Sequence, residues 1–366
     1  MWSKLRTIVC GGGTGGHIYP ALAIINKIRE EEPNSDILYI GTHNRMEKDI
    51  IPKYNISYMP LRMYGLKRSL SLSNIKTAYY YLNSIKRAKK VIKDFNPDIV
   101  IGVGGYITAP VIQAAKKLGH KTLIHEQNSI PGLSNRHLIK YADKIAISFE
   151  SSKKYFKDQD KIVYTGNPCG DNALKSKKID KKELGLTKEK KLVLIVMGSL
   201  GSLKVNEKIT KMLPMFNDRD YEVLFVTGKE YYEEIKENVK CPNNVKIVPY
   251  IENMTRVMKA TDLMVSRAGA STMSEIMSLE IPTIFIPSPY VTDNHQFKNA
   301  SDLVNKGAAL LVEEKELDSD KLVRTIDNIL RDKIKYNKLK ENLKGIGVKN
   351  SSDKIYRIIK NLTEEK

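Results

Sequence analysis

The chain has 366 residues, 41% of them hydrophobic, which suffices for about two globular domains with their own cores. Its 61 lysines and arginines outnumber 42 acidic residues and leave a formal charge of +19, so an anionic partner is expected: nucleic acid, a membrane surface or a phosphorylated metabolite. Three dispersed cysteines, Cys10, Cys169 and Cys241, exclude a disulfide framework and a Cys-x-x-Cys zinc site. No apolar run reaches the ~18 residues of a membrane span, and the segment before the first glycines is too short for a signal peptide, so a cytosolic chain is predicted.

In chain order, the first half predicts strands over Thr7–Cys10, Ile37–Ile40, Ile56–Leu61, Ile99–Val103, Lys121–His125, Lys144–Ser148 and Ile162–Tyr164. Helical patterns separate most of them, notably His17–Glu31, Asn74–Asp94 and Ala109–Leu118. A basic stretch from Leu174 to Lys191 breaks the pattern, which then restarts. Further strands are predicted over Leu192–Met197, Glu222–Thr227, Lys246–Val248, Leu263–Ser266, Thr283–Ile286 and Ala309–Val312, and a last helix over Ser351–Leu362. Apolar strands alternating with helices imply two α/β halves built on parallel sheets, and ligands of such sheets bind beyond the carboxyl ends of the strands.

The run Gly11-Gly12-Gly13-Thr14-Gly15-Gly16-His17 lies between the first strand and the first helix. Without side chains, such a turn lets an anion approach backbone N–H groups at a helix N-terminus. It lacks the Lys-Ser/Thr of a Walker loop and fits the dinucleotide fingerprint only loosely. A second glycine turn, Gly102-Val103-Gly104-Gly105-Tyr106, follows a later strand, and His125-Glu126-Gln127-Asn128 follows the next. In the second half, Gly198-Ser199-Leu200-Gly201-Ser202 repeats the glycine turn. Ser266-Arg267-Ala268-Gly269-Ala270-Ser271-Thr272-Met273-Ser274-Glu275 joins a strand to a helix, with Glu275 one turn in. A carboxylate there repels phosphate but can accept hydrogen bonds from sugar hydroxyls; alternatively it caps the helix. Asp293-Asn294-His295-Gln296 offers amide groups suited to a polyhydroxylated ligand.

Arg62 to Lys93 holds nine basic residues and no acid. Its helix carries Ile75, Ala78, Tyr79, Leu82, Ile85 and Ile92 at helical spacing, read as the core stripe. Lys76, Lys86, Arg87 and Lys90 form the opposite face, and Leu66, Leu70 and Leu72 in the preceding loop favour an anionic membrane over RNA. No interleaved aromatic and basic pattern predicts nucleic-acid binding.

Taken together, the five segments at Gly11–His17, Gly104–Tyr106, His125–Asn128, Ser266–Glu275 and His295-Gln296 with Asn299 resemble, in order and spacing over essentially the whole chain, one bacterial family. This is the MurG family, which adds N-acetylglucosamine to lipid I. The resemblance implies a GT-B architecture: two Rossmann-like parallel-sheet domains facing across a cleft. Residues 1–165 would bind acceptor and membrane, residues 166–350 the UDP-sugar, and residues 351–366 would form a helix returning to the first domain. It implies UDP-N-acetylglucosamine as donor, lipid I as acceptor, no cofactor and no metal, at the cytoplasmic face of the membrane. The implied donor residues are Thr14, Gly15, Gly16, Asn128, Ser199, Ile251, Ala270, Ser271, Thr272, Met273, Ser274, Glu275 and Gln296. Of these, Glu275 would meet the ribose, Ile251 the uracil and Gln296 the sugar hydroxyls. The implied acceptor residues are Gly12, Gly13, Gly104, Gly105, Tyr106, His125 and Glu126.

Two departures stand out. Where the family often has Asn-Pro-x-Arg, this chain has Asn167-Pro168-Cys169-Gly170; where it often has Gly-Gly-Ser-Gln-Gly, this chain has Met197-Gly198-Ser199-Leu200-Gly201. They put a cation near the diphosphate in question, with Lys204 as a substitute. They also leave open a diverged transferase for another lipid, or a UDP-sugar-binding protein with impaired catalysis. For an inverting displacement, His17 is the expected general base: an ordinary imidazole pKa of ~6.5, lowered further by a helix N-terminus, leaves it neutral near pH 7.

Overall fold

The computed structural model describes residues 4–64, 73–198, 201–318 and 320–364. The chain divides into two compact units, Met1–Cys169 with Asn350–Lys366, and Gly170–Lys349.

In the first unit, β1 (Arg6–Cys10), β2 (Asp36–Thr42), β3 (Ser57–Leu61), β4 (Ile99–Gly102), β5 (Lys121–Glu126), β6 (Lys144–Ile147) and β7 (Ile162–Tyr164) form one parallel sheet in the order β3-β2-β1-β4-β5-β6-β7. In the second, β8 (Lys191–Val196), β9 (Tyr221–Val226), β10 (Val245–Val248), β11 (Leu263–Ser266), β12 (Thr283–Phe285) and β13 (Leu310–Leu311) form another, in the order β10-β9-β8-β11-β12-β13. The central strands are continuous buried runs such as Ile99–Gly102 and Tyr221–Val226, as sheets covered on both faces require. Both orders reverse direction at the first strand of their unit, between β1 and β4 and between β8 and β11. Such switch points open a crevice at the carboxyl ends of the strands. The glycine turns after β1 and β4 flank the first crevice. The segments after β8 and β11 flank the second.

The helix Ser351–Glu364 belongs to the first unit. Its Ile355, Ile358, Ile359 and Leu362 join Ile18, Leu22 and Ile25 of the helix Gly15–Glu31 in one core cluster. Burial of each such aliphatic side chain contributes roughly 1.5–3 kcal/mol. Polar contacts fix its register: Lys27 pairs with Asp353 at 2.5 Å, and Glu32 accepts from Tyr356 at 2.8 Å and from Lys360 at 3.2 Å. The Tyr356 hydroxyl, chiefly, holds the Glu32 carboxyl below its ordinary pKa.

One packing expectation is corrected. In the helix Ser73–Phe95 the inward stripe is Thr77, Tyr81, Ser84, Ala88, Ile92 and Phe95, at steps of four and three, and most of it packs against the helix Thr108–Lys117. Ser84 satisfies its hydroxyl on the Arg62 carbonyl at 3.2 Å, which lets a polar residue face inward. Tyr79 and Leu82, expected in the core, are 64% and 67% exposed. The side chains of Ile75, Lys76 and Ala78, and the whole of residues 65–72 with Leu66, Leu70 and Leu72, lie outside the described residues.

Candidate active site

His17 sits half-buried in the first turn of the helix Gly15–Glu31. Its Nδ1 lies 2.9 Å from the Gly12 carbonyl oxygen. A carbonyl can only accept, so Nδ1 carries the proton, and in the neutral ring Nε2 is the unprotonated nitrogen. The ring packs on the second glycine turn, where a Cβ on Gly104 would stand 2.8 Å from His17 Nε2. Gly105 has φ +83°, and a side chain there would collide with the Gly12 carbonyl. The two turns are also joined by a hydrogen bond from Gly12 N to Gly104 O at 3.3 Å.

The first glycine run is therefore less of an anion cradle than its sequence suggests. Gly12 N donates to Gly104, and Gly13 N donates to the Glu47 carboxylate at 3.0 Å. Neither amide is left to donate to an acceptor diphosphate, so Gly12 and Gly13 shape the turn. Among the described residues, the first-turn donors without a partner are those of Gly15 and Gly16, beside exposed Thr14. The Gly104 nitrogen is likewise used, by Thr108 Oγ1 at 3.2 Å. Half-buried Gly105 and Tyr106 border the crevice.

His125 and Glu126 are also corrected. Strand β5 extends through Glu126, so both residues lie inside a sheet covered on both faces. His125 is fully buried, with Nε2 donating to Gly166 O at 3.2 Å and Nδ1 accepting from Gln127 at 2.9 Å. Burial pulls its pKa down to about 4, so it is a neutral spacer. Glu126 accepts from Asn128 N at 2.9 Å, Gly132 N at 3.0 Å and Asn135 Nδ2 at 2.8 Å. Those bonds fasten the loop that presents Asn128, the accessible member of the motif. Both residues position the loop.

In the second unit, Gly269 leads into the helix Ala270–Leu279. The N–H groups of its first turn suit an anion, and the Ser271 hydroxyl in that turn is buried and has no partner among the described residues. Ala270, Met273 and Ser274 are buried, and Met273 N already bonds Gly269 O at 2.9 Å, so Met273 and Ser274 pack the helix rather than meet a ligand. Glu275 is half-buried and burial pushes its carboxyl up to about 8. Gln296 accepts from Ser288 N at 2.9 Å, which leaves its amide NH₂ to donate outward. Ile251 is half-buried just beyond β10. Ser199 and Leu200 lie outside the described residues.

Arg267, given no role from sequence, ties three loops together. It donates to Ser202 Oγ at 3.0 Å and to Ile286 O at 2.9 Å, and pairs with Glu314 at 2.6 Å. Glu47 was missed as well, because a single acid 34 residues from the glycine it binds has no spacing signal. The departure at Gly170 has a steric cause. A Cβ there would collide with Ser278 Oγ and stand 3.1 Å from Ser274 O, so residue 170 lies too close to the helix Ala270–Leu279 for an arginine. Lys204, in the first turn of the helix Leu203–Met212, donates to Tyr290 Oη at 3.1 Å.

Two Rossmann-like domains with loops of this kind define a GT-B glycosyltransferase fold. Acinetobacter baumannii MurG shares it with a TM-score of 0.78 at 24% identity, over 98% of this chain and 99% of that one. The glycosyltransferase family 28 N-terminal domain matches residues 7–147 and the family's C-terminal domain residues 192–358, so the chain belongs to glycosyltransferase family 28. It is 44% identical, over 99% of its length and 100% of the relative, to the UDP-N-acetylglucosamine--N-acetylmuramyl-(pentapeptide) pyrophosphoryl-undecaprenol N-acetylglucosamine transferase 2 of Bacillus thuringiensis strain Al Hakam. The corresponding transferase of Halalkalibacterium halodurans is 42% identical over 98% of this chain and its own full length.

Proposed function

We propose that this chain transfers N-acetylglucosamine from UDP-N-acetylglucosamine to the muramyl C4 hydroxyl of lipid I, giving lipid II for peptidoglycan synthesis. Full-length identity of 44% to a transferase of that name carries the reading, and an imidazole held through Nδ1 on the Gly12 carbonyl at the first switch point supports it. The test is lipid I-dependent release of UDP with formation of lipid II.

In this reaction the C4 oxygen attacks the anomeric carbon as the bond from that carbon to the UDP oxygen breaks, inverting the α-linked donor to a β-linked product. His17 Nε2 takes the hydroxyl proton. UDP leaves with its added charge on the β-phosphate, stabilised by the N-terminus of the helix Ala270–Leu279 with Ser271 and Thr272, and by Ser199 in the second glycine turn. Lys204 supplies the cation that position 170 cannot hold. Glu275 accepts from the ribose hydroxyls, Ile251 borders the uracil, and Gln296 donates to the sugar. Thr14, Gly15, Gly16 and Asn128 contact the transferred sugar, and Gly105 and Tyr106 border the acceptor.

The enzyme works at the cytoplasmic face of the membrane as a peripheral protein; no described helix is long and apolar enough to cross one. Tyr79, Leu82, Lys86, Lys90 and Lys93 recur at steps of three and four along the outward face of the helix Ser73–Phe95, beside exposed Arg87. An apolar tip followed by a basic stripe suits an anionic leaflet, where each cation contributes about 1 kcal/mol. Replacing Lys86, Arg87 and Lys90 together with glutamine is expected to weaken binding to phosphatidylglycerol-containing vesicles at least ~10-fold at low salt. Unchanged, salt-insensitive binding in a sedimentation assay contradicts the electrostatic part.

A further inference from the structure

We propose that Glu47 is the orienting carboxylate of His17, acting through the single peptide group that joins Gly12 to Gly13. The inference rests on the base role given to His17 above.

Glu47 is fully buried and, among the described residues, has no ion pair. Among the described residues, each hydrogen bond its carboxylate accepts comes from a neutral donor. Oε1 accepts from Thr42 N at 3.0 Å and from Thr42 Oγ1 at 2.6 Å; Oε2 accepts from Gly13 N at 3.0 Å. The carboxylate lies directly under the glycine run, since a side chain on Gly12 would collide with it. Tyr39, donating to Gly11 O at 3.0 Å, and Tyr58, donating to Thr42 O at 2.5 Å, close the cluster.

The Gly13 N–H and the Gly12 C=O belong to one planar peptide. The carboxylate holds its N–H end, and the His17 Nδ1–H binds its carbonyl end at 2.9 Å. A negative charge at the N–H end polarises the peptide and makes the carbonyl oxygen a stronger acceptor. That favours the proton on Nδ1, fixes the plane of the ring and supports the positive charge that forms when Nε2 takes a proton. In a Ser-His-Asp triad a carboxylate does this by touching the imidazole. Here one peptide stands between them, and the buried charge is held off the acceptor's own negative groups. The arrangement also accounts for a carboxylate beneath a loop whose glycines suggest anion binding.

The test is Glu47→Gln. The amide oxygen stays toward the two Thr42 donors, so its NH₂ faces Gly13 N–H and that bond is lost. Histidines labelled with ¹⁵N report the tautomer directly, with the His17 signals identified by their absence in His17→Ala. The wild type is expected to show protonated Nδ1 and unprotonated Nε2 near pH 8.5, and Glu47→Gln a mixture of tautomers. Its kcat should fall about tenfold while KM for UDP-N-acetylglucosamine stays within about twofold. A tautomer and a kcat both unchanged overturn the proposal, as does a rise in donor KM with kcat retained. If Glu47→Gln does not fold, Glu47→Asp, too short to reach Gly13 and Thr42 together, is read the same way. A wild type that makes no lipid II removes the proposed function but leaves the tautomer measurement able to test the link between Glu47 and His17.

Discussion

His17→Ala is expected to lower kcat by about 10²–10⁴-fold, the range contributed by a positioned general base, with little change in KM for UDP-N-acetylglucosamine. The split follows from placement. His17 stands in the first domain, against the Gly104 turn, whereas nucleotide recognition is assigned to Ile251, Ser271 and Glu275 in the second. The imidazole acts only as the hydroxyl proton is being lost, so its removal raises the barrier without weakening the ground-state complex. His17→Gln provides the sharper comparison. It keeps a polar group near the acceptor but cannot take a proton at neutral pH, so it should be as impaired as alanine. Single-turnover measurement with saturating donor checks this. Near-normal turnover by either variant reduces His17 to a positioning residue.

Glu275→Ala is expected to reduce kcat/KM for the donor about a hundredfold, through loss of two hydrogen bonds from the ribose to a poorly solvated carboxylate. The carboxyl titrates at about 8 in the free protein because burial disfavours its charge. Ribose hydroxyls donate to the ionised form and so favour it, and donor binding releases a proton at neutral pH. KM for UDP-N-acetylglucosamine should therefore fall as pH rises from about 6.5 to 8 and level off above. Glu275→Gln should abolish that dependence. For stability of the free protein the sign is opposite. The raised pKa contributes stability that is fully present below the ordinary value of 4.5 and is lost as pH rises through about 8. A pH-independent donor KM in the wild type, measured by initial rates across this window, contradicts the ribose assignment.

The parallel sheets were legible because strands covered on both faces are continuous apolar runs, which survive without knowledge of partners. Ile99–Gly102 and Leu263–Ser266 need no context. The helix Ser73–Phe95 was harder. Its aromatic and aliphatic residues fit two faces, and the choice between them is made by the helix Thr108–Lys117 and by a carbonyl that satisfies Ser84. At the site, glycine turns and their order were readable, but which amides remain free was not. Gly13 is taken by Glu47 and Gly12 by Gly104, and both pairings join residues far apart in sequence. His125 and Glu126 were misplaced because β5 runs one residue further than its apolar pattern and carries them inside. Gly170 looked like a lost arginine; in three dimensions it is a close approach to Ser278.

The most direct test of the account incubates the purified protein with UDP-N-acetylglucosamine radiolabelled in the sugar and with lipid I, and scores lipid II. We expect label in lipid II, β-linked at the muramyl C4 oxygen, with one UDP released per sugar transferred and no release when lipid I is omitted. Binding of the donor with no transfer to lipid I, or transfer only to a different lipid, contradicts it.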